Sequence, residues 1–131
     1  MEAGSRVRRG PGARAQAHGA GGEDTAAAYL SRIGCAILDR NFKTRHGEID
    51  IIARDGQTTV FVEVKRRETS AHGTAAEFVS AAKMQKVVAA ARVYAAKHGL
   101  SEGLIRFDVI AIDVIADREQ LRHHKGAFDA R

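Results

Sequence analysis

The stretch GEIDIIARDGQTTVFVEVKRR, residues 47–67, decides the fold of this chain. Its segments IDIIAR and TTVFVEVK are rich in β-branched residues, which favour strands. The dipeptide Asp55-Gly56 between them is typical of a tight turn, because glycine adopts a positive φ at no steric cost. We therefore predict an antiparallel β-hairpin.

The predicted hairpin separates polar from apolar side chains. A turn centred on Asp55-Gly56 pairs Asp50 with Phe61 and Glu48 with Glu63. Successive side chains of a strand point to opposite faces. One face then carries Glu48, Asp50, Ile52, Phe61, Glu63 and Lys65, and the other carries Ile49, Ile51, Val60, Val62 and Val64. The second face is expected to be core.

The polar face has the residues of a metal site. Asp50 and Glu63 are predicted to lie diagonally across the hairpin, roughly 7–8 Å apart at Cα. Carboxylates among apolar neighbours repel each other unless a cation lies between them, and oxygen ligands suit Mg²⁺ or Mn²⁺. Lys65, on the same face, would orient water or stabilise charge on a phosphate. The alternative is a solvent-facing hairpin whose charges are only hydrated.

Composition limits the class of protein. The chain has 131 residues, 44% of them hydrophobic, which suits one domain with one core. The formal charge is +5, and residues 1–22 hold four arginines against one glutamate, a charge of +3 that leaves +2 elsewhere. Cys35 is the only cysteine, so no disulfide forms within the chain. No apolar run matches a signal peptide or a membrane span. We predict a cytoplasmic protein.

The chain divides into three predicted segments. Residues 1–22 are rich in Arg, Gly and Ala and are predicted to be a disordered tail, either solubilising or in non-specific contact with phosphates. Residues 23–116 are predicted to form the folded domain. Residues 117–131 are predicted to be a C-terminal tail with a short helical turn.

The predicted element order within the domain is α-β-β-β-α-β. Helices are expected at 23–33 and 75–98, and strands at 35–42, in the hairpin, and at 104–115 inside the sheet. Glu23 begins the first helix, where it would either complement the helix dipole or belong to the site. Arg106 and Asp108 share one face of the last strand and are predicted to form an ion pair. His123 and His124 are assigned no site.

Four basic residues lie where they would reach a phosphate. Lys43 and Arg45 precede the hairpin in a loop with His46, and Lys83 and Lys86 are one turn apart on the long helix. Hydration alone explains such charges equally well. His46 is a candidate general base, although a lone histidine in a loop is more often simply a polar surface residue.

These blocks resemble known families. The order of elements, with Asp50 on the second strand and Glu63-Val64-Lys65 on the third, resembles the PD-(D/E)xK nuclease superfamily. A closer resemblance, over roughly residues 22–113, is to the YraN-like bacterial family. It rests on GEDTAAAYL (22–30), RNFKTRHGEIDIIARDG (40–56), FVEVKRR (61–67) and RFDV (106–109).

The resemblance implies an α/β, restriction-endonuclease-like fold with a central mixed sheet. It implies that Asp50 and Glu63 bind the metal, that Lys65 supports the attacking water, and that Glu23 is a further acidic ligand. Glu48, on the same predicted face, would be a supporting or alternative ligand or only a surface residue, and the resemblance implies that Lys83 and Lys86 contact nucleic acid. The resemblance also accommodates a homodimer, since two strands need two sites.

Two functions follow as expectations. The first is a Mg²⁺-dependent nuclease that hydrolyses phosphodiester bonds of DNA, branched or single-stranded, in preference to RNA. The alternative is a non-catalytic module that binds nucleic acid on the same fold, which the charge of only +2 outside the tail favours.

Overall fold

The computed structural model describes residues 11–68 and 79–129. Within these ranges two helices flank one sheet, with elements in the order α1 (Pro11–Arg32), β1 (Ala36–Lys43), β2 (Glu48–Asp55), β3 (Thr58–Glu68), α2 (Ala81–His98), a 3₁₀ turn (Glu102–Leu104), β4 (Ile105–Ile115) and β5 (Arg118–Phe128). The fold is α/β and consistent with the restriction-endonuclease-like architecture. Within the described ranges no helix is long and apolar enough to cross a membrane.

The five strands lie in chain order across the sheet. Neighbouring strands are antiparallel except β3 and β4, which run parallel and are connected by the segment that contains α2. The predicted mixed sheet and the inner position of the 104–115 strand are confirmed. The sheet has one strand more than predicted, because Arg118–Phe128 pairs with β4 along its length. The C-terminal tail with a helical turn was therefore a wrong prediction for these residues.

Two apolar clusters cover the two faces of the sheet. The cluster beneath α1 contains Ala26, Leu30, Cys35, Ile51, Ala53, Val60, Val62, Ile110 and Ile112. The cluster beneath α2 contains Ile49, Ile52, Phe61, Val87, Val88, Ala90, Ala91, Tyr94 and Phe107. Ile49 was predicted beside Ile51 but packs on the other face. Pairing of β2 with β3 begins only at Ile51, so the strict alternation of that ladder does not extend to Ile49.

The hairpin is confirmed with a shifted register. Asp55 pairs with Thr58 and Ile52 with Phe61, so the turn residues are Gly56 and Gln57. Gly56 has φ +64°, the value that favours glycine. The predicted pairs Asp50–Phe61 and Glu48–Glu63 are therefore wrong. The shift moves each residue's partner by two positions, which keeps every side chain of the paired region on its predicted face.

Both helices differ from prediction at their starts. Helix α1 begins at Pro11, not Glu23, so residues 11–22 are helical where a disordered tail was predicted. The alanines that continue upstream favour this extension, and residues 1–10 lie outside the described ranges. Helix α2 begins at Ala81, not Ala75, because Ser80 is its N-cap and accepts a hydrogen bond from the Lys83 amide. Residues 75–78 of that prediction also fall outside the described ranges.

Candidate active site

Strands β2 and β3 separate at the position of Asp50. Their ladder ends at the pair Ile51–Val62, and beyond it the Asp50 carboxylate accepts a hydrogen bond from the Val64 amide at 2.8 Å. A side-chain oxygen thus takes the place of a ladder carbonyl, so the amide remains paired. The opening between the strands becomes the floor of a cavity.

This cavity, which we call the carboxylate pocket, has a volume of about 410 Å³. Both sides of the sheet contribute to it, together with the start of α2. Its lining residues are Glu23, Asp50, Glu63, Val64, Lys65, Val79, Ser80 and Lys83. The pocket therefore brings together the four residues predicted to be catalytic.

Glu63 is a buried acid of the pocket that lies close to a lysine. Its Oε2 lies 3.6 Å from the Lys83 ammonium, and its Oε1 is buried without a hydrogen-bond partner among the described residues. Burial and the nearby charge of Asp50 raise the pKa of Glu63 to about 8, although Lys83 acts in the opposite direction. The site therefore favours a proton or a cation beside this carboxylate.

Asp50 and Glu23 share this environment. Burial raises the pKa of Asp50, while the hydrogen bond from Val64 lowers it in part. Burial and then the charge of Asp50 raise the pKa of Glu23, and Glu23 Oε1 is also buried without a partner in the described part of the chain. Since α1 begins at Pro11, Glu23 lies in the body of the helix. Its predicted alternative role at the N-terminal dipole is therefore wrong.

A metal ion fits two of these acids better than three. Among the residues that the structure describes, no three His, Cys, Asp or Glu side chains are arranged to hold one ion. Mg²⁺, however, commonly uses one or two carboxylates and completes its shell with water and substrate oxygens. Asp50 and the unpartnered oxygen of Glu63 match that donor set. Glu23 lines the same pocket as a third acid that can bind a water molecule.

The predicted nucleic-acid contacts lie next to the pocket. A second cavity of about 400 Å³, which we call the basic cleft, is lined by Lys43, Thr44, Arg45, His46, Gly47, Glu48, Lys83 and Lys86. Glu48 and His46 are thus placed in the cleft and do not line the carboxylate pocket. Glu48 still acts on the pocket, because its charge raises the pKa of Asp50.

Two features of the site were missed from the sequence. Lys83 was predicted as a phosphate contact, but its ammonium also approaches Glu63, and it lines both cavities. Ser80 lines the pocket as the cap of α2. A serine three residues before Lys83 is a helix-start signal, and it would have placed the start of α2 correctly.

The fold and site define an α/β protein with a buried group of carboxylates beside a basic cleft. The model of the uncharacterised protein family UPF0102 matches residues 22–112. The chain is also 46% identical over 120 residues to a UPF0102 protein of Anaeromyxobacter dehalogenans, covering 92% of this chain and 90% of the relative.

Two further relatives are also UPF0102 proteins. A UPF0102 protein of Geobacter sulfurreducens is 45% identical, covering 85% of this chain and 88% of the relative. One of Frankia casuarinae is 39% identical, covering 82% and 92%. The chain therefore belongs to the UPF0102 family, which confirms the YraN-like resemblance.

Proposed function

We propose that this protein is a metal-dependent nuclease that hydrolyses phosphodiester bonds of nucleic acid, with DNA as the favoured substrate. The observation that carries the proposal is the carboxylate pocket, where Asp50, Glu63 and Lys65 line one cavity. Buried carboxylates with raised pKa values beside a cation are typical of functional sites. A cytoplasmic location and the restriction-endonuclease-like chemistry are parts of the same proposal.

The proposed roles follow from the position of each side chain. Asp50 and Glu63 would hold Mg²⁺ or Mn²⁺, which when bound would polarise a phosphoryl oxygen and lower the pKa of a water molecule. The Val64 amide fixes one oxygen of Asp50, so this carboxylate is oriented before any ligand enters. Glu23 would position water through its unpartnered buried oxygen.

Lys65 would act on the reacting phosphate. Its side chain lines the pocket, and it lies two residues beyond Glu63 on the same face of β3. A lysine ammonium so placed would stabilise the negative charge that develops as the phosphodiester is attacked and would help to orient the attacking water. Ser80, the N-cap of α2, also lines the pocket, so the positive end of this helix lies beside it.

The test is cleavage of end-labelled single-stranded, duplex and branched DNA, and of RNA, with Mg²⁺, Mn²⁺ or EDTA. Asp50→Asn and Glu63→Gln should lower the cleavage rate at least about 100-fold, as expected when a metal ligand is removed. Glu68→Gln, which changes an exposed acid of the same strand, should cleave like the wild type. Equal rates in Glu63→Gln and Glu68→Gln would refute the proposal.

A nucleic-acid-binding module without turnover is the second candidate. The ammonium of Lys83 lies 3.6 Å from Glu63 and partly neutralises the carboxylate charge. A bound metal would otherwise neutralise that charge. Salt-sensitive DNA binding with no cleavage of any substrate in the panel, with either metal, would select this function.

A homodimer is part of the nuclease proposal, and sedimentation of the wild type with and without duplex DNA tests it.

A further inference from the structure

The basic cleft is held in shape by a closed loop. The Thr44 amide and hydroxyl both donate to the Gly47 carbonyl, at 2.8 and 2.9 Å. The same hydroxyl oxygen accepts from the amides of His46 and Gly47, at 3.0 and 3.1 Å. Four hydrogen bonds in four residues give the loop a fixed form, so the side chains of Lys43 and Arg45 start from a defined position.

The loop is also pressed against α2. A Cβ built on Gly47 would lie 2.5 Å from the Lys86 carbonyl oxygen and 2.8 Å from the Lys86 Cβ. Such a close backbone approach is open only to glycine. It brings the loop and the first turns of α2 together, so that cationic side chains from both elements line one cavity.

The lining of the cleft matches a phosphodiester. Four cationic side chains lie against a single acid among the lining residues, Glu48, which gives a formal charge of +3 with His46 neutral. Lys83 and Lys86 are three apart on α2 and are therefore neighbours on its surface. No Phe, Tyr or Trp is among these lining residues. The cleft thus offers charge for a phosphate and no aromatic ring for stacking a base.

Lys83 joins the cleft to the carboxylate pocket. It lines both cavities, and its ammonium lies on the Glu63 side of the boundary. We propose that the basic cleft is a subsite for a backbone phosphate flanking the phosphate that enters the carboxylate pocket. This assignment depends on the proposed function only for the phosphate that enters the carboxylate pocket. It implies that the substrate is a polynucleotide and that the cleft binds its backbone whatever the base sequence.

The experiment is oligonucleotide binding in EDTA, where no cleavage is needed. Fluorescence anisotropy would follow a labelled single-stranded DNA at increasing salt, with wild type, Lys43→Gln, Lys86→Gln and Lys97→Gln. Lys97 is an exposed lysine in the last turn of α2, outside the cleft, and gives the same change of net charge. Each cleft variant should flatten the slope of log affinity against log salt by about 0.7, the value for one phosphate contact on a single strand.

The expected result has three parts. Lys97→Gln keeps the wild-type slope, the cleft variants lose affinity equally for oligonucleotides of different sequence, and vesicles of phosphatidylglycerol bind wild type and cleft variants alike. The subsite is overturned if the wild type does not bind DNA at low salt, or if Lys97→Gln changes the slope as much as Lys86→Gln. Selective loss of vesicle binding in the cleft variants would also overturn it, in favour of a lipid phosphate.

The nuclease proposal and the subsite can fail separately. Cleavage by wild type with slopes that do not differ among the lysine variants would remove the subsite and leave the nuclease. A selective slope change in the cleft variants, with no cleavage under any metal, would leave the subsite on a binding module.

Discussion

Glu63 is buried near the like charge of Asp50, and its Oε1 has no hydrogen-bond partner among the residues that the structure describes. Its side chain is 7% exposed, and its pKa rises from the ordinary 4.5 to about 8 in the folded protein. Folding therefore favours the protonated form of this carboxyl. Its contribution to stability is fully present below about pH 4.5 and is lost as the pH rises through about 8.

Glu63→Gln should remove this pH dependence, because the amide carries no charge at any pH. The free energy of unfolding of the variant relative to the wild type should increase between pH 4.5 and 8, by about 2–5 kcal/mol, since one pKa unit corresponds to about 1.4 kcal/mol. Urea denaturation at a series of pH values measures it. Glu68→Gln is the control, and a constant difference between Glu63→Gln and wild type across this range would contradict the burial of a charged carboxyl.

At the scale of elements, the contact between the 44–47 loop and α2 decides where the cationic side chains lie. Gly47→Ala places a methyl group 2.5 Å from the backbone oxygen of Lys86, which has no flexible end that can move aside. We expect a loss of about 1–3 kcal/mol of stability, typical of overpacking. Thermal unfolding of the purified variant measures it.

Gly103→Ala is the matched control for this substitution. Apart from its own chain neighbours, no described atom lies within 4 Å of a Cβ built there, and its φ is outside the left-handed region, so the stability of the variant should stay close to that of the wild type. Equal melting temperatures for Gly47→Ala and wild type would mean that the loop does not press on α2.

The sequence predicted these elements where local patterns are strong. Alternating β-branched residues identified the hairpin and predicted Asp50, Glu63 and Lys65 on one face, and all three line the carboxylate pocket despite the error in register. The error arose because the turn uses Gly56 and Gln57, and either choice satisfies the same alternation.

Strand β5 could not be predicted in the same way. Its sequence REQLRHHKGAF contains no Val or Ile, and none of its eleven residues is buried; only Leu121 and Phe128 pack against the apolar clusters. Its pairing is instead set by β4, whose residues 107–113 are all buried and whose outer edge needs a partner strand. The start of α1 was missed for a related reason, since an Ala-rich helix and an Ala-rich tail share a composition.

At the scale of the whole molecule, Asp108 connects elements that are far apart in the chain. It is fully buried, and its carboxylate accepts hydrogen bonds from the Arg106 guanidinium at 2.9 Å and from the Gly126 amide at 3.0 Å. His123 Nε2 lies 2.7 Å from it, and His123 Nδ1 lies 3.0 Å from the Tyr29 hydroxyl. This network ties α1, β4 and β5 together and confirms the predicted Arg106–Asp108 pair.

Asp108→Asn should therefore destabilise the whole protein. It removes the buried carboxylate charge from Arg106, which keeps only its 3.1 Å bond to the more exposed Asp55, and we expect a loss of about 1.5–3 kcal/mol, the range for a hydrogen bond to a charged group. Burial opposes ionisation of Asp108, but the hydrogen bonds from His123 and Arg106 prevail and lower its pKa to about 2. Its contribution is present above about pH 3.8 and is lost as the pH falls through about 2.

Urea denaturation at pH 7 compares this variant with Asp117→Asn, an exposed change in the turn before β5. Asp117 has φ +65°, which asparagine also tolerates, so the control should match the wild type. A midpoint for Asp108→Asn as high as that of the control would contradict the structural role of the network.

The central claim is that Asp50 and Glu63 bind the metal while Lys65 acts on the reacting phosphate. The variant Lys65→Gln tests this claim most directly. The measurement is single-turnover cleavage of the best DNA substrate with Mn²⁺, alongside calorimetric titration of Mn²⁺ into the same protein. We predict that Lys65→Gln binds Mn²⁺ within about threefold of wild type and cleaves at least about 100-fold more slowly, since a group that stabilises the transition state is removed. Wild-type cleavage by Lys65→Gln, or no Mn²⁺ binding by the wild type, would contradict the account.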